Sequence, residues 1–236
     1  MLSSEGDLIK EIPAPSRLRA FKQMENNHFF TYQMNFIDPT HVKEVWSLYT
    51  PEFEKIKDLE TQELEGNSSL FQYQIHRSFA TSDTIYIGKR TPYYEIWVYN
   101  SEGELQKKIE KDYKPVKISD EYKEEQAKQL EEMKKKGVPL PPVKMIYPKN
   151  WPAFHDLFAS DDGWIFVRTY EKSEQLRHYV YDVFNPEGNF IGQTSLGNYR
   201  KINYPCPIKA KNNRLYSLKQ KENGYKELTV YEMKWE

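Results

Sequence analysis

The sequence predicts an all-β chain, a β-propeller built of four-stranded antiparallel blades, and three observations carry that expectation. First, one unit recurs along the 236 residues: an alternating apolar strand, a polar turn, an aromatic-rich strand, a Glu-Gly turn and a short amphipathic strand. Second, aromatic residues make up 15% of the chain, 18 of them tyrosines, a composition suited to strands packed through large amphipathic rings. Third, one more short strand candidate precedes each unit. That brings the count to four strands per unit, at the spacing of about 40 to 50 residues expected of propeller blades.

In chain order, the opening "MLSSEGDLIKEI" gives a Glu5-Gly6 turn and a strand over Asp7 to Ile12 without a partner strand before it. The first blade-like unit, 13–62, has an inner strand at Pro15 to Phe21. It continues through "NHFFTYQMNFIDPTHVKEVWSLYTPEFEKIKDLE", where Thr50-Pro51-Glu52 stands in place of the Asn-x-Glu-Gly turn. The second, 63–113, has its inner strand within Ser69 to Ala80. There "DTIYIGKRTPYYEIWVYNSEGELQKKIEKDY" alternates Ile85 and Ile87 and reaches Asn100 before the turn. The third, 151–198, repeats this with an inner strand at Ala153 to Ser160, alternation at Ile165 and Val167, and Asn185 before its turn. The fourth, 199–236, has an inner strand at Cys206 to Asn212 and the hairpin signal Asn223-Gly224, and it stops after its aromatic strand.

The surplus at the start and the deficit at the end are complementary. Unpaired strand edges invite association, so the expected arrangement pairs Asp7 to Ile12 with Leu228 to Lys234 as the outer strand of the last blade. The competing expectation is that this opening strand ends a blade of a longer parent sequence, which would make the chain a fragment of a larger ring. In either case residues 1–236 are expected to form one propeller domain of about four blades.

One segment, 114–150, breaks the strand rhythm. "SDEYKEEQAKQLEEMKKKG" reads as a helix, with Ser119 at the N-cap, acidic residues in the first turn, lysines in the last and Gly137 beyond. Its i, i+4 pairs of glutamate before lysine support it in isolation. Only Tyr122, Leu130 and Met133 form an apolar stripe, so the helix is expected to be a solvated decoration lying across one face. "GVPLPPV" returns the chain in extended form.

Composition narrows the function classes. Net charge is −1, from 34 basic and 35 acidic residues spread evenly, which leaves no electrostatic footprint for nucleic acid or an anionic membrane. Cys206 is the sole cysteine, so neither an intrachain disulfide nor a thiolate metal cluster can form from this chain, and a small buried hydrophobe is its expected role. No apolar run has the length of a membrane span, and the opening lacks the regions of a secretory signal. The expected location is therefore cytoplasmic if Met1 is the true start, and periplasmic or secreted if a signal and further blades precede it.

From "YYEIWVYNSEGELQKKIEKDYKPVKIS" through the helical insertion to "YEMKWE", the pattern resembles the bacterial six-bladed β-propeller proteins, relatives of the NHL-repeat propellers, in their C-terminal four blades. The resemblance implies the fold. It also implies, for relatives of this kind, an export signal and two further blades, and it brings no catalytic motif to carry over.

In a propeller the innermost strands line the central channel. Those strands supply Arg17 and Arg19, His76 and Arg77, His155 and Asp156, and Lys209. Alternate residues of a strand face opposite ways, so only one of His155 and Asp156 is expected to point inward. The ligand-binding candidates are Arg19, His76, Arg77, His155 and Asp156, and the basic lean of the set suits a small anion. The alternative, a metal-dependent propeller hydrolase or lactonase acting in the central channel, would need three or four convergent Asp, Glu, Asn or His ligands, for which His76, His155 and Asp156 are the innermost-strand candidates. Linear nucleophile, phosphate-loop and zinc-protease motifs are absent. The expectation is a binding or scaffold protein for an unassigned small molecule or protein, with no cofactor, no metal and no catalytic residue.

Overall fold

The computed structural model describes residues 11, 13, 18–38, 41–65, 78–89, 93–137, 147, 149–173, 178–197, 208–220 and 223–234. Among these residues fifteen strands form four antiparallel sheets, and within each sheet the strands follow chain order. The first holds β1 (Leu18–Gln23), β2 (Phe29–Asp38), β3 (His41–Tyr49) and β4 (Lys55–Glu65). The second holds β5 (Ser78–Ala80), β6 (Thr84–Gly88), β7 (Tyr94–Asn100) and β8 (Leu105–Lys111). The third holds β9 (Asp156–Ala159), β10 (Ile165–Lys172), β11 (His178–Phe184) and β12 (Phe190–Gly197). The fourth has three strands among the described residues: β13 (Ile208–Lys211), β14 (Arg214–Gln220) and β15 (Lys226–Glu232). The expected strand over 7–12 lies outside the described residues, Glu11 apart.

Three of the first strands come together, with β5 and β13 both lying against β9. They are the inner strands, and the sheets radiate from them as blades, giving an all-β, propeller-like fold. A core lies between each consecutive pair. Met24, Phe30, Trp46 and Leu48 of the first sheet meet Ile85, Ile87 and Tyr99 of the second. Tyr94, Ile96, Val98 and Ile109 meet Leu157, Ile165, Val167 and Phe184 of the third. Phe158, Phe166, Tyr181 and Val183 meet Ala210, Leu215 and Met233 of the fourth. β3, β7 and β11 therefore bury side chains on both of their faces, as a sheet covered on both sides requires.

The recurring turn has one hydrogen-bond plan. Asn100 N donates to Glu104 O and Gly103 N donates to Asn100 O. Asn185 with Asn189 and Gly188, and Thr50 with Glu54 and Phe53, repeat both bonds. The Asn100 side-chain oxygen accepts from Glu102 N and Glu104 N, and Thr50 Oγ1 does the same for Glu52 N and Glu54 N. Gly103 (φ +71°) and Gly188 (φ +92°) sit where the turn presses on the sheet before it. A Cβ on Gly103 would lie 2.4 Å from Leu59 Cδ2 and 2.8 Å from Leu48 Cδ1, and one on Gly188 would lie 2.9 Å from Ile109 Cγ1. The first blade's turn carries Phe53 there, at φ +60°, stacked on Phe29 at 4.9 Å.

Polar bridges join the blades as well. Lys111 Nζ on β8 donates to Asp182 on β11 at 2.8 Å, and Gln193 Nε2 donates to the same oxygen at 2.9 Å. Burial, then the nearby Asp182 charge, holds the Tyr94 phenol well above its ordinary range. Lys89 on the second sheet pairs with Glu60 on the first at 2.6 Å, 4.2 Å from the Trp97 ring centroid.

The insertion carries α1 (Asp120–Lys135), capped by Ser119, whose side chain accepts from Tyr122 N. Its base is clipped shut: Trp151 N donates to Val116 O at 2.8 Å, Ile118 N to Lys149 O at 3.2 Å, and Lys117 bridges to Asn150. Contrary to the expectation of a solvated decoration, one face is docked. Gln126 is buried, and Tyr122 packs edge-on to Trp151 at 4.7 Å. The docking residue is an amphipathic tyrosine and its neighbour on the same face is a glutamine, so a count of aliphatic residues understates the stripe.

Candidate functional site

The inner strand of the third blade brings three polar side chains together. β10 runs "IFVRTYEK", and Arg168 on it is the cross-strand partner of Asp156 on β9. Asp156 Oδ2 accepts from Arg168 Nη2 at 2.8 Å, and His155 N donates to Arg168 O at 2.7 Å. The same Nη2 lies against the His155 ring, whose Nδ1 is 3.2 Å from Asp156 Oδ2. The Arg168 side chain is 5% exposed, and its buried Nε has no acceptor among the described residues. Arg168 is stacked over Tyr179, its Cζ 4.6 Å from the ring centroid.

An aromatic wall adjoins this trio. Tyr170, two residues after Arg168, lies 5.5 Å from the His155 ring and stacks on Trp151 at 4.5 Å and 10°. Tyr122 from α1 meets Trp151, and Tyr147 meets Tyr122 at 6.4 Å. Burial pushes the Tyr122 phenol up to about 12, so it stays a neutral packing group across the physiological range. The docked helix thus forms the back of the wall.

Of the residues expected to line a channel, the structure unites His155 and Asp156. Both contact Arg168, which corrects the expectation that one faces away: His155 precedes β9, so strand alternation does not govern it. Arg19 lies on β1, and its side chain is outside what is described, as are residues Arg17, His76 and Arg77. Lys209 lies on β13, paired with Tyr216. Arg168, Tyr170 and Trp151 escaped the sequence reading, and Tyr122 entered it as part of the helix's apolar stripe alone. Arg168 had a usable signal, since it is a lone cation in the apolar run "WIFVRTY", and arginine is almost never buried without a partner. Among the described residues, no three His, Cys, Asp or Glu side chains come together as metal ligands.

No family model matches the chain, and no curated protein matches it. Among solved structures, it matches a mutant of the Synechocystis apocarotenoid oxygenase at 10% identity, over 95% of this chain and 51% of that one, with a TM-score of 0.39. It also matches a candidate glycoside hydrolase from Parabacteroides distasonis ATCC 8503 at 9% identity, over 89% of this chain and 65% of that one, with a TM-score of 0.34. The chain spans about half the length of the oxygenase. Likeness at this level bears on neither substrate nor mechanism. No helix among the described residues is long and apolar enough to cross a membrane.

Proposed function

We propose that this chain is a non-enzymatic binding protein of propeller-like fold, related in its repeat to the bacterial six-bladed propellers. Its ligand is a small molecule bearing an anionic or carbonyl acceptor, held at the start of β9. The observation that supports the reading is Arg168. Its charge is balanced by Asp156, yet a buried Nε–H is left without an acceptor, and leaving such a donor unmade costs roughly 1–3 kcal/mol, more for a charged group. A ligand oxygen would relieve that cost, with His155 as a second polar contact and Tyr170 and Trp151 as a flat apolar flank. Metal-assisted hydrolysis or lactone opening is less well supported, because Asp156 is already engaged by Arg168 and, among the described residues, no third ligand side chain joins it and His155.

Trp151 is the reporter. Titration with benzoate, citrate and inorganic phosphate, with acetamide as the uncharged control, should change tryptophan emission saturably for at least one anion. The change should vanish in Arg168→Met and in Trp151→Phe. A response that never saturates, or that is the same in Arg168→Met, would overturn the reading.

A further inference from the structure

In the third blade the ladder between β10 and β11 runs one to one from Ile165 opposite Phe184 to Arg168 opposite Tyr181, and it resumes with Lys172 opposite Tyr179. Thr169, Tyr170 and Glu171 therefore stand against Val180 alone. Among the described residues, the equivalent ladders of the other blades carry no such insertion. β6 pairs with β7 residue for residue from Thr84 to Gly88, β14 with β15 from Arg214 to Gln220, and β2 with β3 from Phe29 to Phe36, with a single shift at the hairpin end. The bulge lies in the blade that holds the Arg168 cluster, and it begins at Arg168 itself. Bulges gather beside binding sites because they re-aim a side chain that a regular strand would hold in its row.

Thr169 holds this one open. Its Oγ1 donates to Val180 O at 3.2 Å and accepts from Glu171 N at 3.1 Å, so one hydroxyl ties the bulge to the facing strand and closes it on itself. Thr169 is buried. Beyond it, Gln193 Nε2 on β12 donates to Glu171 Oε2 at 3.1 Å. Tyr170 stands at the crest between these two tied residues. A one-to-one ladder would set residue 170 opposite Tyr179, on which Arg168 already stacks. In the bulge, Tyr170 instead stacks on Trp151 and lies 5.5 Å from the His155 ring. An aromatic ring has been taken out of the ladder and placed beside the unmet Nε–H of Arg168.

Resting on the binding function proposed above, we infer that this bulge sets the ligand class: the site selects a flat, ring-bearing acid over a compact anion, and Thr169 is the positioning residue that holds the selecting ring. Isothermal titration calorimetry of the whole chain with benzoate and acetate tests this, since the two present the same carboxylate on a ring and on a methyl group. Benzoate should bind about tenfold more tightly than acetate, the increment of one good aromatic contact. Thr169→Val keeps the shape and removes the hydroxyl, and it should reduce that ratio to about twofold, with Thr169→Ser restoring it. A general loosening of the fold would weaken both acids alike and leave the ratio unchanged. If the far-ultraviolet spectrum shows Thr169→Val unfolded, Tyr170→Leu takes its place, with the same fall in ratio expected. Benzoate bound no more tightly than acetate or inorganic phosphate overturns the selection and leaves binding standing. So does a ratio that is unchanged in the folded variant, or one that serine fails to restore. A chain that gives no saturable heat with benzoate, acetate, citrate or phosphate overturns the binding function and the selection together.

Discussion

Replacing Gly103 by alanine tests whether the recurring turn is glycine for its backbone alone or also for its approach to the neighbouring blade. At φ +71° any Cβ costs roughly 1–2 kcal/mol. Here the new Cβ would also lie 2.4 Å from Leu59 Cδ2, 2.6 Å from Lys57 Cε and 2.8 Å from Leu48 Cδ1. Lys57 can swing away, but Leu48 is fully buried between the first two sheets and has nowhere to go. Overpacking of that kind adds about 1–3 kcal/mol, for a total of about 2–5 kcal/mol. In a chain of this length that is a fall in Tm of roughly 4–20 °C. Gly224 supplies the control, since it has φ +85° with nothing within 4 Å of an added Cβ, so Gly224→Ala should cost the backbone part alone. Thermal denaturation of both variants decides the matter. If Gly103→Ala loses no more than Gly224→Ala, the blades do not press together at this turn, and the account of the repeat given above fails.

Other consequences can be checked in the same way. Lys111→Met should destabilise by about 3–5 kcal/mol in urea denaturation by leaving the buried Asp182 without its cation, and adding Asp182→Asn should recover most of it. The Tyr86 phenol is pushed up to about 12 by burial, with Asp83 adding to the shift. The unfolded chain therefore ionises this residue first as pH rises. Its contribution is intact below pH 10 and is lost between pH 10 and 12 at roughly 1.4 kcal/mol per pH unit, and Tyr86→Phe should remove that part of the slope. Tyr122→Ala should cost about 0.5–1.5 kcal/mol for the lost ring pair and shift tryptophan emission to the red as Trp151 gains solvent.

The first three blades were legible in the sequence because one local device marks each of them. Asn100, Asn185 and Thr50 all close the same turn with the same side-chain acceptor, and that chemistry is written in adjacent residues. The reason the turn carries glycine was not legible, because Leu48 and Leu59 belong to the previous blade and only packing brings them near. The docked helix was missed for a similar reason: Tyr122 meets Trp151 from across the insertion, and no periodicity within the helix reports a partner beyond it. At the candidate site, His155 and Asp156 were found because the expected inner strand, Ala153 to Ser160, included both, although β9 itself begins at Asp156. Arg168 was overlooked, although a charge inside "WIFVRTY" has to be answered by something, and the answer is Asp156 on the neighbouring strand.

The clip at the base of the insertion separates what the blades require from what the inserted segment contains. Val116 and Trp151 are joined by a backbone hydrogen bond, and Lys117 and Asn150 by a bridge, so β8 and β9 meet a closed gate whatever lies beyond it. The entropy of closing a flexible loop grows only with the logarithm of its length, about 0.6 kcal/mol for each doubling. Once the gate is formed, the propeller is nearly indifferent to the size of its cargo. This makes the stretch between Ile118 and Lys149 a natural port of entry. A helix, a foreign peptide or an entire small domain could be spliced in there with the blades undisturbed, and whatever is spliced in would be delivered beside Trp151 and the His155, Asp156 and Arg168 cluster.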